Sequence, residues 1–212
     1  MNPKEFDLSS FDFLGVDSSY WGLEDVVTEL REARKRWRAQ QRRRDSGMRE
    51  FPSRKDLKDI SEAFCAVLFP MRLGPPDLQH ETEDYYVGHT LNAALRRLYQ
   101  QIRLELAYQS RREGGSPNAD RDAAALVKTF AAGLPSLRIL LDLDVEAAFR
   151  GDPAARSVDE ILLSYPGVQA IIHHRLAHSL FNLGAPLVAR IVAEISHSAT
   201  GIDIHPGAQI GS

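Results

Sequence analysis

The densest run of chemically able side chains is "HHRLAH", residues 173 to 178. His174 and His178 stand four positions apart, one turn on a helix, a spacing at which two imidazoles can grip one metal ion. Zinc requires a third protein ligand, and the familiar helical pattern places a glutamate beside the first histidine. Arg175 stands there instead, and a guanidinium is a poor neighbour for a divalent cation. The cluster therefore reads as packing or interface histidines, and no metal is expected. Cys65 is the sole cysteine. Its neighbours Phe64, Ala66 and Val67 place it mid-helix, where a buried, neutral thiol is expected rather than a nucleophile. An internal disulfide is impossible, which suits a reducing compartment. No glycine-rich phosphate loop and no Ser-His-Asp arrangement can be read from spacing.

A different signal closes the sequence. In "TGIDIHPGAQIGS", residues 200 to 212, Ile204 and Ile210 lie six apart, with Pro206-Gly207 between them and Gly211 after the second. A branched apolar residue on a six-residue beat, with turn chemistry between, suits a stacked β-solenoid, in which each flat face offers one inward side chain. One coil cannot bury its own face, because about three repeats are needed for stability. The segment from Thr200 onward is therefore expected to be loose or paired.

The elements that must position these groups are helical. The chain has 212 residues, 43% hydrophobic and 26% charged, with a net charge of −3, enough for a core without disulfides or metal. The start, "MNPKEFDLSSFDFLG", lacks the basic head and apolar run of a secretory signal. No apolar stretch approaches the roughly 20 residues of a membrane helix. The expected setting is cytoplasmic, with neither membrane nor nucleic acid as partner. Residues 1–19 have no clear period and read as a loosely held arm. From Trp21 to about Arg44 the pattern is helical and basic: Arg31, Arg34, Lys35, Arg36, Arg38, Arg42, Arg43 and Arg44 oppose only Glu32. Such a helix could lie on a phosphate backbone; the alternative is a solvated face balanced elsewhere, favoured by the acidic chain and by Trp37 being the run's sole aromatic.

Ser53 is a plausible N-cap for a helix carrying Leu57, Ile60, Phe64, Val67 and Leu68 on one face and ended by Pro70. His80 to Ser110 reads as one long helix with Leu91, Ala94, Leu95, Leu98, Ile102 and Leu106 in a stripe. "REGGSPNAD" reads as a linker. A short helix from Asp120 is expected to close at Gly133, and Pro135 to open the next. A break follows at Gly151 and Pro153. Ser157 to Glu160 fits a capping box. Two final helices, carrying Val168, Ile172, Leu176, Leu180 and Leu183 and then Leu187, Val188, Ile191, Val192 and Ile195, should form a hairpin about Gly184. Everything to residue 199 is helix or loop.

The stretch from "DVEAAFRGDPAARSVDEILLSYPG" through "HHRLAHSLFNLGAPLVARIVAEISHSATGIDIHPGAQIG" resembles bacterial serine O-acetyltransferases, a family of hexapeptide-repeat acyltransferases. The elements that carry the resemblance are "GDPA" from Gly151, "YPG" from Tyr165, Arg175 with His178, and "TGIDIHPGA" from Thr200. It is close over about residues 134–212 and loose upstream. The resemblance implies an all-α, multi-helix N-terminal domain (residues 20–199), ending at the start of a left-handed parallel β-helix of which residues 200–212 are the first partial coil. It implies acetyl transfer from acetyl-CoA to the hydroxyl of L-serine for cysteine synthesis, with a histidine as general base. Asp203 matches the aspartate that orients this histidine; without the resemblance it would be an ordinary turn acid. Asp152 matches the aspartate that holds the amino group of serine, and of the feedback inhibitor cysteine; otherwise it would be a helix cap. The two carboxylates are expected in a shared pocket, if need be with a neighbouring subunit.

In the family the base histidine and the acetyl-CoA coils lie beyond the position matching Ser212, and His205 is not the base. The 212 residues are thus expected to bind no cofactor, to be inactive alone and to serve assembly. The resemblance further implies a homo-oligomer through the helical domains, a trimer-based hexamer at full length, and a cysteine synthase partner engaged by a C-terminal tail. Rival readings are a non-enzymatic helical scaffold, and a hexapeptide acyltransferase with another acceptor. If the basic helix is only a solvated face, duplex DNA at physiological ionic strength will show no salt-dependent mobility shift with this protein.

Overall fold

Apolar residues at three- and four-residue spacing dominate the sequence, and the computed structural model, which describes residues 21–40, 51–113 and 118–211, is built of α-helices with no strand among those residues. The chain divides into two compact units, Met1–Arg49 and Glu50–Ser212. In the first, α1 (Leu23–Gln40) buries none of its residues. Its cations from Arg31 to Arg38 are exposed, and Lys35 pairs with Glu32 at 2.7 Å. The arm before residue 20 and the cations Arg42, Arg43 and Arg44 lie outside the described residues.

The second unit contains α2 (Arg54–Leu68), α3 (Pro70–Leu73), a 3-10 turn at His80–Thr82, α4 (Glu83–Glu113), α5 (Ala119–Gly151), α6 (Val158–Ser164), α7 (Pro166–Asn182) and α8 (Pro186–Thr200). Ser53 caps α2, accepting the Asp56 N–H at 3.2 Å, and Leu57, Ile60, Phe64 and Leu68 face inward as their spacing predicts. Pro70 ends α2 and, at the first position of α3, loses nothing by lacking an N–H. Ser157 accepts the Glu160 N–H at 3.0 Å, while the Glu160 carboxylate reaches back to the Arg156 N–H at 2.8 Å.

The largest departure from the sequence pattern is α5. No break occurs at Gly133; the helix runs 33 residues with Pro135 inside it. Proline removes one i→i−4 hydrogen bond and crowds the preceding turn, but buried Phe130 and Leu134 before it and Leu141 and Val145 after it lie in one continuous core. Tertiary packing overrides the local stop signal. By length and mean hydropathy α5 is also the one described helix able to cross a membrane, a stretch that the sequence pattern, read as two helices, hides. Lys128 and Arg138 interrupt it, and it packs against α4, α6 and α7.

The core joins all the longer helices of this unit. Phe64 and Phe130 meet edge to face at 5.3 Å, and α7 and α8 form the expected hairpin. Its geometry depends on a residue that no motif marks. Glu105 on α4 is fully buried, yet its carboxylate accepts the Leu187 N–H at 2.7 Å and the Val188 N–H at 2.8 Å, with Gln109 Nε2 donating at 3.0 Å. Because α8 has no side-chain N-cap of its own, Glu105 satisfies its orphan donors and meets the positive end of the helix dipole. Burial raises the Glu105 pKa above its ordinary 4.5, against the lowering effect of those N–H donors.

Replacing Glu105 by Ala should destabilise the fold by about 3 kcal/mol, since two buried N–H groups lose their partner. Because the folded carboxyl binds its proton more tightly than the unfolded one, this group's contribution falls as pH rises from the unfolded to the folded pKa. Urea unfolding of Glu105→Gln across that window should lack this slope.

Candidate functional site

Two clusters of polar side chains are built on α7. The first stands at its N-terminus. Where α5 ends, Asp152 takes an extended conformation and caps the following turn, its Oδ1 accepting the Ala154 N–H at 2.9 Å. Its Oδ2 accepts the hydroxyl of Tyr165, the residue before α7, at 2.6 Å. The hydroxyl and then the amide hold the Asp152 carboxyl below the usual carboxylate range, and the same bond pushes the Tyr165 phenol up to about 12. Asp152 is half-buried, ionised at neutral pH and has no cation bonded to it among the described residues. Such a carboxylate suits an ammonium group. The reading of Asp152 as a cap is met by its bond to the Ala154 N–H.

The second cluster holds the C-terminal segment. Gly201 ends α8 in the left-handed region, at φ 74°, where only glycine is unstrained. The chain then turns back along α7. Arg175, only 7% exposed, forms a fork with Asp144 of α5, Nε to Oδ2 at 3.0 Å and Nη2 to Oδ1 at 2.8 Å. Nη1 also donates to the Ile210 carbonyl at 2.8 Å, and Nη2 to the Gly211 carbonyl at 2.7 Å. One turn on, His178 Nδ1 donates to the Pro206 carbonyl at 2.8 Å, which leaves Nε2 to accept from Asn182 at 2.9 Å. Pro206 is buried, and Gly207 lies so close to Phe181 and His205 that a Cβ there would come within 3.2 Å of the Phe181 ring. Of the two expectations for this segment, loose or paired, it is the second that describes residues 206–211, which are tied down on the face of α7.

This arrangement also explains the histidines. His174 and His178 face one another at 5.5 Å between ring centres, but both nitrogens of His178 are committed to the tail and to Asn182. His174 is buried; desolvation first, then the neighbouring His178 and Arg175, lowers its pKa, so it is neutral. His205 uses Nδ1 to accept the Gly207 N–H at 3.0 Å and packs its ring on Phe181, a turn-forming role. The Cys65 thiol is buried and pushed up to about 12 by desolvation, which removes it from nucleophilic chemistry. Among the described residues no three of His, Cys, Asp and Glu gather at metal-binding distance.

Asp203 is exposed in the segment between Gly201 and buried Pro206. Asp152 is fastened to α7 through Tyr165, and the segment bearing Asp203 through Arg175 and His178, ten and thirteen residues further along. At 1.5 Å per residue these anchor points are about 15–20 Å apart. Asp144 and Glu105 are the positioning residues that the sequence reading missed. Glu105 left a trace: it stands three after Ile102 and seven after Leu98, on the apolar stripe of α4. Asp144 left none, since its partner is 31 positions away.

No family model matches the chain. Among curated proteins it is 47% identical over 196 residues to the plasmid serine acetyltransferase of Synechococcus elongatus, a match covering 90% of this chain and 61% of that protein. A shorter match, 52% over 69 residues, links it to the serine acetyltransferase of Mycobacterium tuberculosis, with 32% of this chain and 30% of that protein covered. Among solved structures, serine acetyltransferase isoform 3 of Entamoeba histolytica in complex with cysteine aligns with a TM-score of 0.58 at 29% identity, over 70% of this chain and 48% of that one. Native serine acetyltransferase 1 of the same organism aligns with a TM-score of 0.57 at 29% identity, over 77% of this chain and 54% of that one. The chain thus spans about three-fifths of its first curated relative and about half of the solved chains.

Removing the fork should free the tail without unfolding the helices. Arg175→Ala leaves the Asp144 carboxylate, 17% exposed, without its partner, at a cost of about 3 kcal/mol. Hydrogen exchange should quicken at residues 206–211 well before it does in α2 and α4.

Proposed function

The chain is a relative of the serine acetyltransferases, and on that footing we propose that residues 20–199 form the helical domain of such an enzyme and residues 200–212 the first coil of its β-helix. The observation that carries this reading is the ionised Asp152, fixed by Tyr165 and Ala154 in the break between α5 and α6 and free to take a cation. In the proposed reaction, Asp152 holds the ammonium group of L-serine and of the inhibitor cysteine. Asp203 accepts the ring N–H of a base histidine contributed by the β-helix. It thereby fixes the tautomer and favours the imidazolium that forms. The histidine takes the proton of the serine hydroxyl, the oxygen attacks the thioester carbon of acetyl-CoA, and the thiolate leaves and receives that proton. The products are O-acetylserine and CoA.

In this proposal the 212 residues supply binding, orientation and assembly, not turnover. The helical domains join subunits into a cytoplasmic, trimer-based hexamer, with a cysteine synthase partner bound by a tail beyond the β-helix. The approximately 15–20 Å between the anchor points of Asp152 and Asp203 on α7 suits a serine site shared between neighbouring subunits. The clamp by Arg175 and His178 then has a purpose: it fixes the coil carrying Asp203 to the domain carrying Asp152.

In the enzyme carrying the β-helix, Asp152→Asn should raise the KM for serine at least tenfold with a smaller change in kcat. Asp203→Asn should lower kcat by about 10²–10⁴-fold. Because Tyr165 holds the Asp152 carboxyl low, Tyr165→Phe should make the serine KM begin its acid-side rise at a higher pH. The 212-residue chain alone should release no CoA in a serine-dependent manner. An unchanged KM in Asp152→Asn would remove the assignment.

A further inference from the structure

We propose that α1 is a seam between two copies of this chain, which pair through it as an antiparallel two-stranded coil about a two-fold axis. Helices in proteins draw most of their stability from packing an amphipathic face, yet α1 buries none of its residues within its own chain. Val26, Leu30 and Trp37 are 47%, 51% and 62% exposed. Their spacing is that of a coiled-coil stripe. With Leu23 as the first a position of a heptad, the a positions are Leu23, Leu30 and Trp37 and the d positions Val26, Ala33 and Gln40. The outward b, c and f positions are polar from Glu24 to Arg38. A mainly apolar a/d stripe with a polar back is the pattern that a second helix buries.

Charge and side-chain size decide what covers the stripe and in which direction. The acids Glu24, Asp25 and Glu29 lie in the first half of α1, and the cations Arg34, Lys35, Arg36 and Arg38 in the second. A parallel pair would set basic half beside basic half. An antiparallel pair lays each basic half against the acidic half of the other copy. Its layers pair a with d, so Leu30 of each copy meets Ala33 of the other, and Trp37 meets Val26. A large side chain thus faces a smaller one, as close packing requires. A parallel pair would instead set Trp37 on Trp37 and leave a void at Ala33 on Ala33.

The edge of the seam is also prepared. In the antiparallel pair g positions face g positions, which brings Glu29 of each copy to Arg36 of the other. The ion pair that α1 already makes, Lys35 with Glu32 at 2.7 Å, lies on the outward face at f and c. Glu29 and Arg36 form no ion pair among the described residues, and Arg36 acts on Glu32 through its field alone. The charges that a second copy would use are those left uncommitted. Joined to a three-fold β-helix, a two-fold seam closes the hexamer proposed above. That consequence rests on the reading given there; the pairing of α1 does not.

The test is sedimentation equilibrium of the 212-residue protein at rising concentration. A monomer–dimer equilibrium is expected, about tenfold or more weaker in Leu30→Asp, with thermal unfolding of the remaining helices unchanged. Glu29→Arg and Arg36→Glu should each weaken it about threefold or more, and the double variant Glu29→Arg/Arg36→Glu should restore it. Rescue by Glu29→Arg/Arg34→Glu instead, the pair that a parallel coil would form, overturns the proposal. A monomer at every concentration overturns it too, including one that binds phosphatidylglycerol vesicles through α1. Self-association that Leu30→Asp leaves unchanged overturns the seam but leaves the assembly of the enzyme standing, since another face then carries it.

Discussion

A guanidinium withdrawn from water must have its charge matched and its donors met, and Arg175 is the point at which this chain meets that demand. The fork to Asp144 ties α7 to α5, and the two donor bonds to Ile210 and Gly211 tie α7 to the segment after α8. One side chain thus joins three parts of the chain separated by 31 to 36 positions. Breaking a buried pair costs more than the pair contributes over an apolar substitute, so what Arg175 secures is arrangement: it fixes the path of the segment after α8. Asp203 inherits that path.

Glu105 solves the complementary problem at the other end of α8. After the hairpin turn at Gly184 and Ala185, the first turn of α8 turns Val188 and Ala189 into the core, and its amides need a partner there. A carboxylate from α4 is an expensive group to bury, and its raised pKa records that cost. The expense is tolerable because the two N–H groups and the helix dipole offset it. Glu105 thus fixes the start of α8, and Arg175 the segment that follows it, with charges from other helices, so the hairpin is positioned by ionic contacts as well as by apolar packing.

Much of this was legible in the sequence where the signal was local. The Ser53 and Ser157 caps, the apolar stripes of α2, α4, α7 and α8, the break after Gly151 and the all-α class follow from spacing and from turn chemistry within a few residues. The likeness of "GDPA", "YPG" and "TGIDIHPGA" to serine acetyltransferases pointed at Asp152 and Asp203. What could not be read was non-local. Gly133 and Pro135 spelled a helix end, and burial of residues on both sides of them overruled it. Arg175 was noticed as a poor neighbour for a metal, but its use as a clamp required Asp144, which no spacing rule connects to it. The segment from Thr200 was expected to be loose or paired, and that its partner is the face of α7 could not be read from spacing.

Pro135 has a bearing on how this scaffold can deform. It removes one rung from the hydrogen-bond ladder of a 33-residue rod, and bending in helices concentrates at such places. On the N-terminal side of that rung lie Ala123, Leu126 and Phe130; on the other lie Asp144 and Asp152. The half that carries the two carboxylates is held separately, by α6 and α7 and by Arg138, which donates to the Leu68 carbonyl and lies over the Phe69 ring.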